Sequence, residues 1–304
     1  MNIPQPAAPV GPPSRQPTHE LDLPAADPAT SFHAWNAQQQ RLYRVAAPIL
    51  LNNTPLCPDH ARNIIGFTAK NKYSYSADYV DEAQKYLGLD DRLRVTEVLN
   101  GSGAEWAGIR EGDILLAAGI EPIPEGELAE VQASALIASE LQGRSEVSLM
   151  VLRGHDRMTF DVPLTPACAM KIDVGHSDEF TAYADGRRVM ITRGMLNFVR
   201  SDGELAYVIA REVARNVLQP QLNPEEAKTI DSLRAPAVES ATGVSAVEAS
   251  SGPIHVNVEL ERLALNMLVR AGYSLAVVGN FLQRMSAMPQ ADRHSSSIAY
   301  LPRR

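Results

Sequence analysis

Basic charge is scarce in this 304-residue sequence: 28 Lys and Arg stand against 36 Asp and Glu, a formal net charge of -8. An acidic chain with no basic block argues against nucleic acid as the main partner, and against a polybasic contact with a membrane. Long hydrophobic runs are missing too. None approaches the roughly 18 residues that a membrane-spanning helix needs. The first residues, MNIPQPAAPVGPP, carry neither the charged nor the apolar segment of a signal peptide. The expectation is therefore a periplasmic or cell-envelope protein if a leader has been removed, and a cytoplasmic one otherwise. Cysteine is limited to Cys57 and Cys168, too few for a disulfide scaffold and enough for one bridge. What is present is globular in profile: 45% apolar and 21% charged residues, on a chain long enough for two domains.

Texture along the chain divides it into four parts. Residues 1–31 hold eight prolines and few large apolar side chains, and are predicted to be a disordered tail. Residues 32–59 are predicted to form an N-terminal helix packed on the core. Trp35, Leu42, Val45, Ile49 and Leu50 recur at helical spacing there, and Pro48 is expected to bend or interrupt the helix near its end. Residues 60–166 change to short strands and turns. A strand over 94–99 runs into Gly-Ser-Gly, a short helix ends at Gly108, and Glu111-Gly112-Asp113 turns into a strand over 114–118. VQASALIASELQ reads as a helix and VSLMVLRGHDRMTFDVPL as a hairpin through Gly154.

The stretch Gly-Ser-x-Ala-x-x-Ala-Gly-Ile-x-x-Gly-Asp-Ile-Leu, residues 101–115, resembles PDZ domains of the bacterial protease-associated kind. Gly103 stands where such domains often have proline. The resemblance implies a PDZ-like β-sandwich module that takes a peptide or protein terminus as an added strand, with backbone amides catching the terminal carboxylate. Ile65, Gly66 and Phe67 are the candidate carboxylate loop, with an ordinary strand start as the alternative.

Residues 167–304 read as a β-hairpin turning at Asp185-Gly186, then a helix from about Arg193. ELAYVIAREVARNVL is an amphipathic helix for which Ser201 or Asp202 supplies the N-cap. Residues 219–255 read as a loose loop, partly helical at PEEAKTIDSL. Two further helices follow, VNVELERLALNMLVRAGY, ending near Gly272, and SLAVVGNFLQRMSAM.

This region resembles the HtpX and CAAX-prenyl-protease family of zinc metallopeptidases, which are gluzincins, and in particular bacterial members with a PDZ domain before the catalytic core. The matching residues are Ala182-Tyr183-Ala184-Asp185-Gly186-Arg187-Arg188, Thr192-Arg193-Gly194-Met195-Leu196, Glu204-Leu205-Ala206-x-Val208, residues 211–215, and Arg270-Ala271-Gly272-Tyr273. The implied fold is α+β: the PDZ-like module joined to a mostly helical zincin-like core with a small hairpin or sheet. Thr181 and Arg293-His294-Ser295 depart from the family pattern.

In that family the second of these helices carries His-Glu-x-x-His: both His bind zinc, and the Glu is the general base. Here Glu212 stands at the general base, and Arg211 and Arg215 stand at the two His ligands. Counting back from Ala271-Gly272-Tyr273 puts Glu259 at the third ligand, with Glu261 where the family has Asp. A guanidinium has five donors, no lone pair to give and a pKa too high to lose its proton, so it cannot ligate zinc. Without zinc, Glu212 has no acidified water to deliver. No cofactor is therefore expected, although active relatives use zinc. Two guanidiniums bring the charge that zinc would have brought, so Arg211 and Arg215 are expected to pair with Glu259 and Glu261. His255, Glu259 and Glu212 form a less favoured rescue set, and His33, His60, His155, His176 and His294 read as surface residues.

The two cysteines bracket the PDZ-like segment. A bridge would close a loop of roughly 110 residues and contribute on the order of 4 to 5 kcal/mol, less any strain. Frequent export of the resembled family favours the bridge over two inert thiols. The functional expectation is a metallopeptidase-like PDZ protein without proteolysis, binding peptides or regulating an active relative. The alternatives are an active zinc metalloendopeptidase with non-standard ligands and an assembly protein in which both sites are vestigial.

Overall fold

A computed structural model describes residues 28–75, 77–234 and 257–287. The predicted tail and both His255 and His294 lie wholly or largely outside these residues.

Helix α1 (Pro28–Asn52) begins a few residues before the expected 32 and runs through Pro48 without ending there. Proline removes one ladder donor, but Ile49 and Leu50 beyond it are buried. Asn53 Nδ2 also ties the last turn, donating to Ile49 O at 2.9 Å and Met267 O at 3.0 Å. Burial and this cap hold the helix past its breaker.

A ribbon follows. Strand β1 (Ala61–Ile64) pairs antiparallel with β8 (Thr165–Cys168), the strand that closes the segment between them. Cys57 and Cys168 are joined at the base of this ribbon, with Cα atoms 5.8 Å apart, and both are fully buried.

Between the ribbon strands lie β2 (Phe67–Lys70), α2 (Val80–Leu87), β3 (Arg94–Val98), α3 (Gly103–Ala107), β4 (Ile114–Ala118), β5 (Glu121–Pro122), α4 (Ala129–Glu140), β6 (Glu146–Arg153) and β7 (Asp156–Pro163). The strands form one antiparallel sheet in the order β2-β3-β4-β6-β7, with β5 added to β4. The expected sandwich of two sheets is replaced by this single sheet. Its core of Val95, Leu115, Val147, Leu149, Val151 and Val162 is closed by side chains from α3 and α4. Bulges at Thr68/Ala69 and Leu115/Ala117 add local twist.

The remaining elements are β9 (Lys171–Gly175), β10 (Ala182–Ala184), β11 (Arg188–Thr192), α5 (Arg193–Phe198), α6 (Asp202–Leu218), α7 (Pro224–Arg234), α8 (Val258–Arg270) and α9 (Ala276–Ala287). Strand β9 lies parallel to β11, and β10 antiparallel to it. The second core joins Leu42, Val45 and Ile49 of α1 to this small sheet and to α5, α6, α8 and α9. The architecture is thus mixed α and β. The two halves touch through α1, whose Phe32 packs on Ala83 and Leu89 and on the Tyr75 and Tyr79 rings.

Candidate functional site

Helix α6 starts where the sequence puts a cap. Ser201 Oγ accepts the Glu204 N–H at 3.2 Å, and Asp202 and Glu204 lie in the first turn, where carboxylates complement the helix dipole. Helix α8 is capped in the same way by Asn257, which accepts the Leu260 N–H at 3.1 Å. The two helices pack along their length, and Arg211 faces the seam with only 3% of its side chain exposed.

Arg211 Nε donates to Glu261 Oε1 at 2.6 Å, and Tyr207 Oη donates to Glu261 Oε2 at 2.8 Å. On the other side, Arg211 Nη1 lies 3.4 Å from Glu212 Oε1, and Arg215 Nη2 reaches that oxygen at 3.3 Å. Glu212 Oε2 stands 3.3 Å from Arg215 Nη1 but makes no aligned hydrogen bond. Glu212 is therefore held between two guanidiniums and is 1% exposed.

The expected pairing is corrected in two respects. Glu261 meets Arg211, whereas Glu259 is exposed and forms no ion pair among the described residues. Two residues apart on a helix is a rotation of about 200°, so the two carboxylates cannot face α6 together. Arg215 pairs with Glu212 on its own helix.

Burial opposes the charge on Arg211, but Glu212 and Glu261 more than offset it and hold its pKa above the ordinary value. Burial, with the Glu261 carboxylate, pushes the Tyr207 phenol up and keeps it a donor. Glu226 of α7 is half-buried beside the cluster. Burial raises its pKa; Arg215 opposes that rise, while Glu212 and Asp185 add to it. Tyr207 and Glu226 were not singled out from sequence. Tyr207 lies four residues before Arg211, so it shares that helix face and was findable by spacing. Glu226 was not, because its approach depends on the return of α7.

These groups do not fit a zinc ion. Two of the three expected ligand positions, Arg211 and Arg215, are cationic, the third, Glu259, is exposed and turned away from α6, and Glu212 is already engaged by both guanidiniums. Among the described residues no three His, Cys, Asp or Glu side chains are grouped as a metal set. His255, needed for the rescue set, lies outside the described residues. His155 is exposed, while His60 and His176 are half-buried; His60 Nε2 lies 3.2 Å from Asn216 O. Burial chiefly lowers the His176 pKa.

The second candidate site is the turn before β2. Gly66 has φ +96°, and a Cβ there would meet Ser102 Cβ at 2.2 Å, so both conformation and space demand glycine. Its carbonyl accepts the Leu99 N–H at 2.8 Å and the Ser102 hydroxyl at 3.1 Å. Ile65 O accepts the Ala104 N–H at 3.2 Å, tying the turn to the start of α3. Phe67 opens β2 opposite Val98. With the Leu99 to Gly66 bond fixing the alternation of the ladder, Phe67 turns its own N–H and C=O to the outer side of β2. Strand β2 is terminal in its sheet among the described residues. Ile65, Phe67 and Ala69 are half-buried on the same core as Leu136 and Ile137 of α4.

No family model matches this chain, and no curated protein matches it. Solved structures do. The chain is similar to the crystal structure of the HtrA3 PDZ domain bound to a phage-derived ligand, at 22% identity and a TM-score of 0.26, covering 35% of this chain and 88% of that one. It is also similar to a PDZ domain protein from Parabacteroides distasonis, at 16% identity and a TM-score of 0.23, covering 35% of this chain and 20% of that one.

Proposed function

We propose that the chain is a peptide-binding protein: a PDZ-like module carried on a metallopeptidase-like core that no longer hydrolyses peptides. The observation that carries the binding function is the outer side of β2, with the Gly66 turn at its start. An extended peptide added there finds the main-chain groups of Phe67 and an apolar shoulder from Ile65, Phe67, Leu136 and Ile137. The core serves as a rigid carrier. Its Glu212 is buried between Arg211 and Arg215, so the carboxylate at the expected general-base position is shielded from solvent, and neither guanidinium has a lone pair for a metal.

The buried Cys57–Cys168 bridge supports an oxidising compartment, the periplasm or cell envelope, as the site of action. Among the described residues no helix is long and apolar enough to cross a membrane.

The test is a peptide-display screen on the whole chain, using libraries with free and with amidated C-termini, followed by titration of the enriched peptides. Enrichment of free C-termini with apolar last residues is expected. Gly66→Ala should weaken that binding at least tenfold, since a left-handed φ and the Ser102 contact forbid the side chain without rearrangement. No enrichment removes the peptide-binding function; equal binding by the variant removes its assignment to the Gly66 turn.

A further inference from the structure

Next to the Gly66 turn stands the dipeptide Asn100-Gly101, exposed on a tight turn closed by the Ser102 N–H to Leu99 O bond at 3.0 Å. Gly101 has φ +84°, and its N–H donates to the Glu105 carboxylate at 2.7 Å. An asparagine side-chain amide, an unshielded glycine nitrogen next in the chain, and a carboxylate on that nitrogen's proton are the parts of one reaction. We infer that Asn100 is a self-modification site, at which Gly101 and Glu105 convert the side-chain amide to an acid.

The Gly101 nitrogen attacks the Asn100 side-chain carbonyl carbon as its proton passes to Glu105, a general base within hydrogen-bond reach. A new N–C bond closes a five-membered imide. The bond to the side-chain amide nitrogen breaks, and that nitrogen takes a proton back from Glu105 and leaves as ammonia. Water then adds to one of the two imide carbonyls. Opening on one side gives aspartate at position 100; opening on the other gives isoaspartate, with the main chain rerouted through the side-chain carbon. Nothing is oxidised or reduced, and water is the only co-reactant.

The consequence falls on the neighbouring loop. Leu99 N–H and Ser102 Oγ–H, on either side of the dipeptide, both hold the Gly66 carbonyl. On its far side Gly101 comes within 3.7 Å, measured from a Cβ position, of Leu51 on α1. An extra main-chain atom between Leu99 and Ser102 pulls these two donors out of register and releases Gly66. The reaction therefore acts as a slow, one-way loosening of the turn before β2. Only its effect on binding rests on the peptide-binding function proposed above.

The full-length protein is incubated at mildly alkaline pH, where amide deprotonation is favoured, and mapped over time by mass spectrometry and by enzymatic isoaspartate labelling. The parent is compared with Glu105→Gln, which keeps an acceptor for the Gly101 N–H but is no base, and with Asn100→Gln. Conversion of amide to acid at position 100 is expected in the parent, with isoaspartate appearing. It should be several-fold slower in Glu105→Gln and undetectable in Asn100→Gln. Hydrogen exchange should show lost protection at the Leu99 amide in the isoaspartate form. An unmodified Asn100, equal rates in parent and Glu105→Gln, or an unchanged Leu99 amide would each overturn the inference. Modification with lost Leu99 protection, but no peptide bound by either form, upholds it and removes the binding function instead.

Discussion

At the residue scale the core is decided by how Arg211 is satisfied. A guanidinium with 3% of its surface exposed costs several kcal/mol unless it is paired and hydrogen-bonded. Glu261, Glu212 and the Tyr207 hydroxyl on the far side of Glu261 form that environment. Arg211→Ala removes the cation and leaves two carboxylates facing each other across the seam. Urea unfolding should show a loss of about 3–5 kcal/mol. Replacing Arg211 and Glu261 together by Met and Leu should cost less, because Glu212 keeps Arg215 as its partner and no second carboxylate faces it. A single variant within about 0.5 kcal/mol of the parent would mean that the cluster carries no weight. The arginines and Glu212 were legible in the sequence, because spacing puts residues 211 and 215 on one helix face. The choice of Glu261 over Glu259 was missed by counting from a motif. The buried stripe of Leu260, Ala264, Met267 and Leu268 would have located it, since position 261 flanks that stripe and 259 faces away.

Elements are held in place by polar clamps as much as by apolar faces. Arg284 of α9 grips Glu204 in the first turn of α6 through two bonds, at 2.9 and 2.6 Å, while Glu204 Oε2 also accepts the Arg200 N–H at 2.8 Å. Burial works against the Glu204 charge, but Arg284 and the Arg200 N–H outweigh it, so its pKa lies below the ordinary 4.5. A carboxyl with a depressed folded-state pKa stabilises the fold fully above its unfolded value and loses that contribution as pH falls through the folded one. Stability measured by urea titration should therefore drop as pH goes below the ordinary value, and Glu204→Gln should flatten that drop. An identical acid limb in the variant would exclude this clamp as a source. Helices α4, α6, α8 and α9 and the hairpins at Gly154 and Asp185-Gly186 were legible, because period and turn residues are local signals. Strand β9 and helix α2 were not. Strand β9 lies parallel to β11 across an intervening stretch, a pairing no local pattern announces, and α2 has only Ala83 buried along its length.

Across the whole molecule, the two larger cores are tied at a neck as well as through α1. The β1–β8 ribbon and the Cys57–Cys168 bridge stand where the chain enters and leaves the six-stranded unit. The bridge spans a sequence separation of 111 residues, and in the chain-entropy picture a loop of that size is worth about 4–5 kcal/mol. Cys57→Ser with Cys168→Ser should lower the urea midpoint and steepen the slope, because the unfolded chain without the bridge is less compact. Unchanged stability on reduction would show that the ribbon alone holds the neck. The bracket made by the two cysteines was visible in the sequence, but their burial was not: that comes from α1 and the second core closing around them.

The proposed function rests on Arg211 and Arg215 bringing to the core the charge that a divalent ion brings in the resembled family, leaving a scaffold for peptide binding. Its most direct test is elemental analysis of protein purified without chelator, paired with thermal unfolding before and after chelation. The expected result is no stoichiometric zinc and an unchanged melting temperature. About one zinc per chain, with a melting temperature that falls when the metal is stripped, would contradict it.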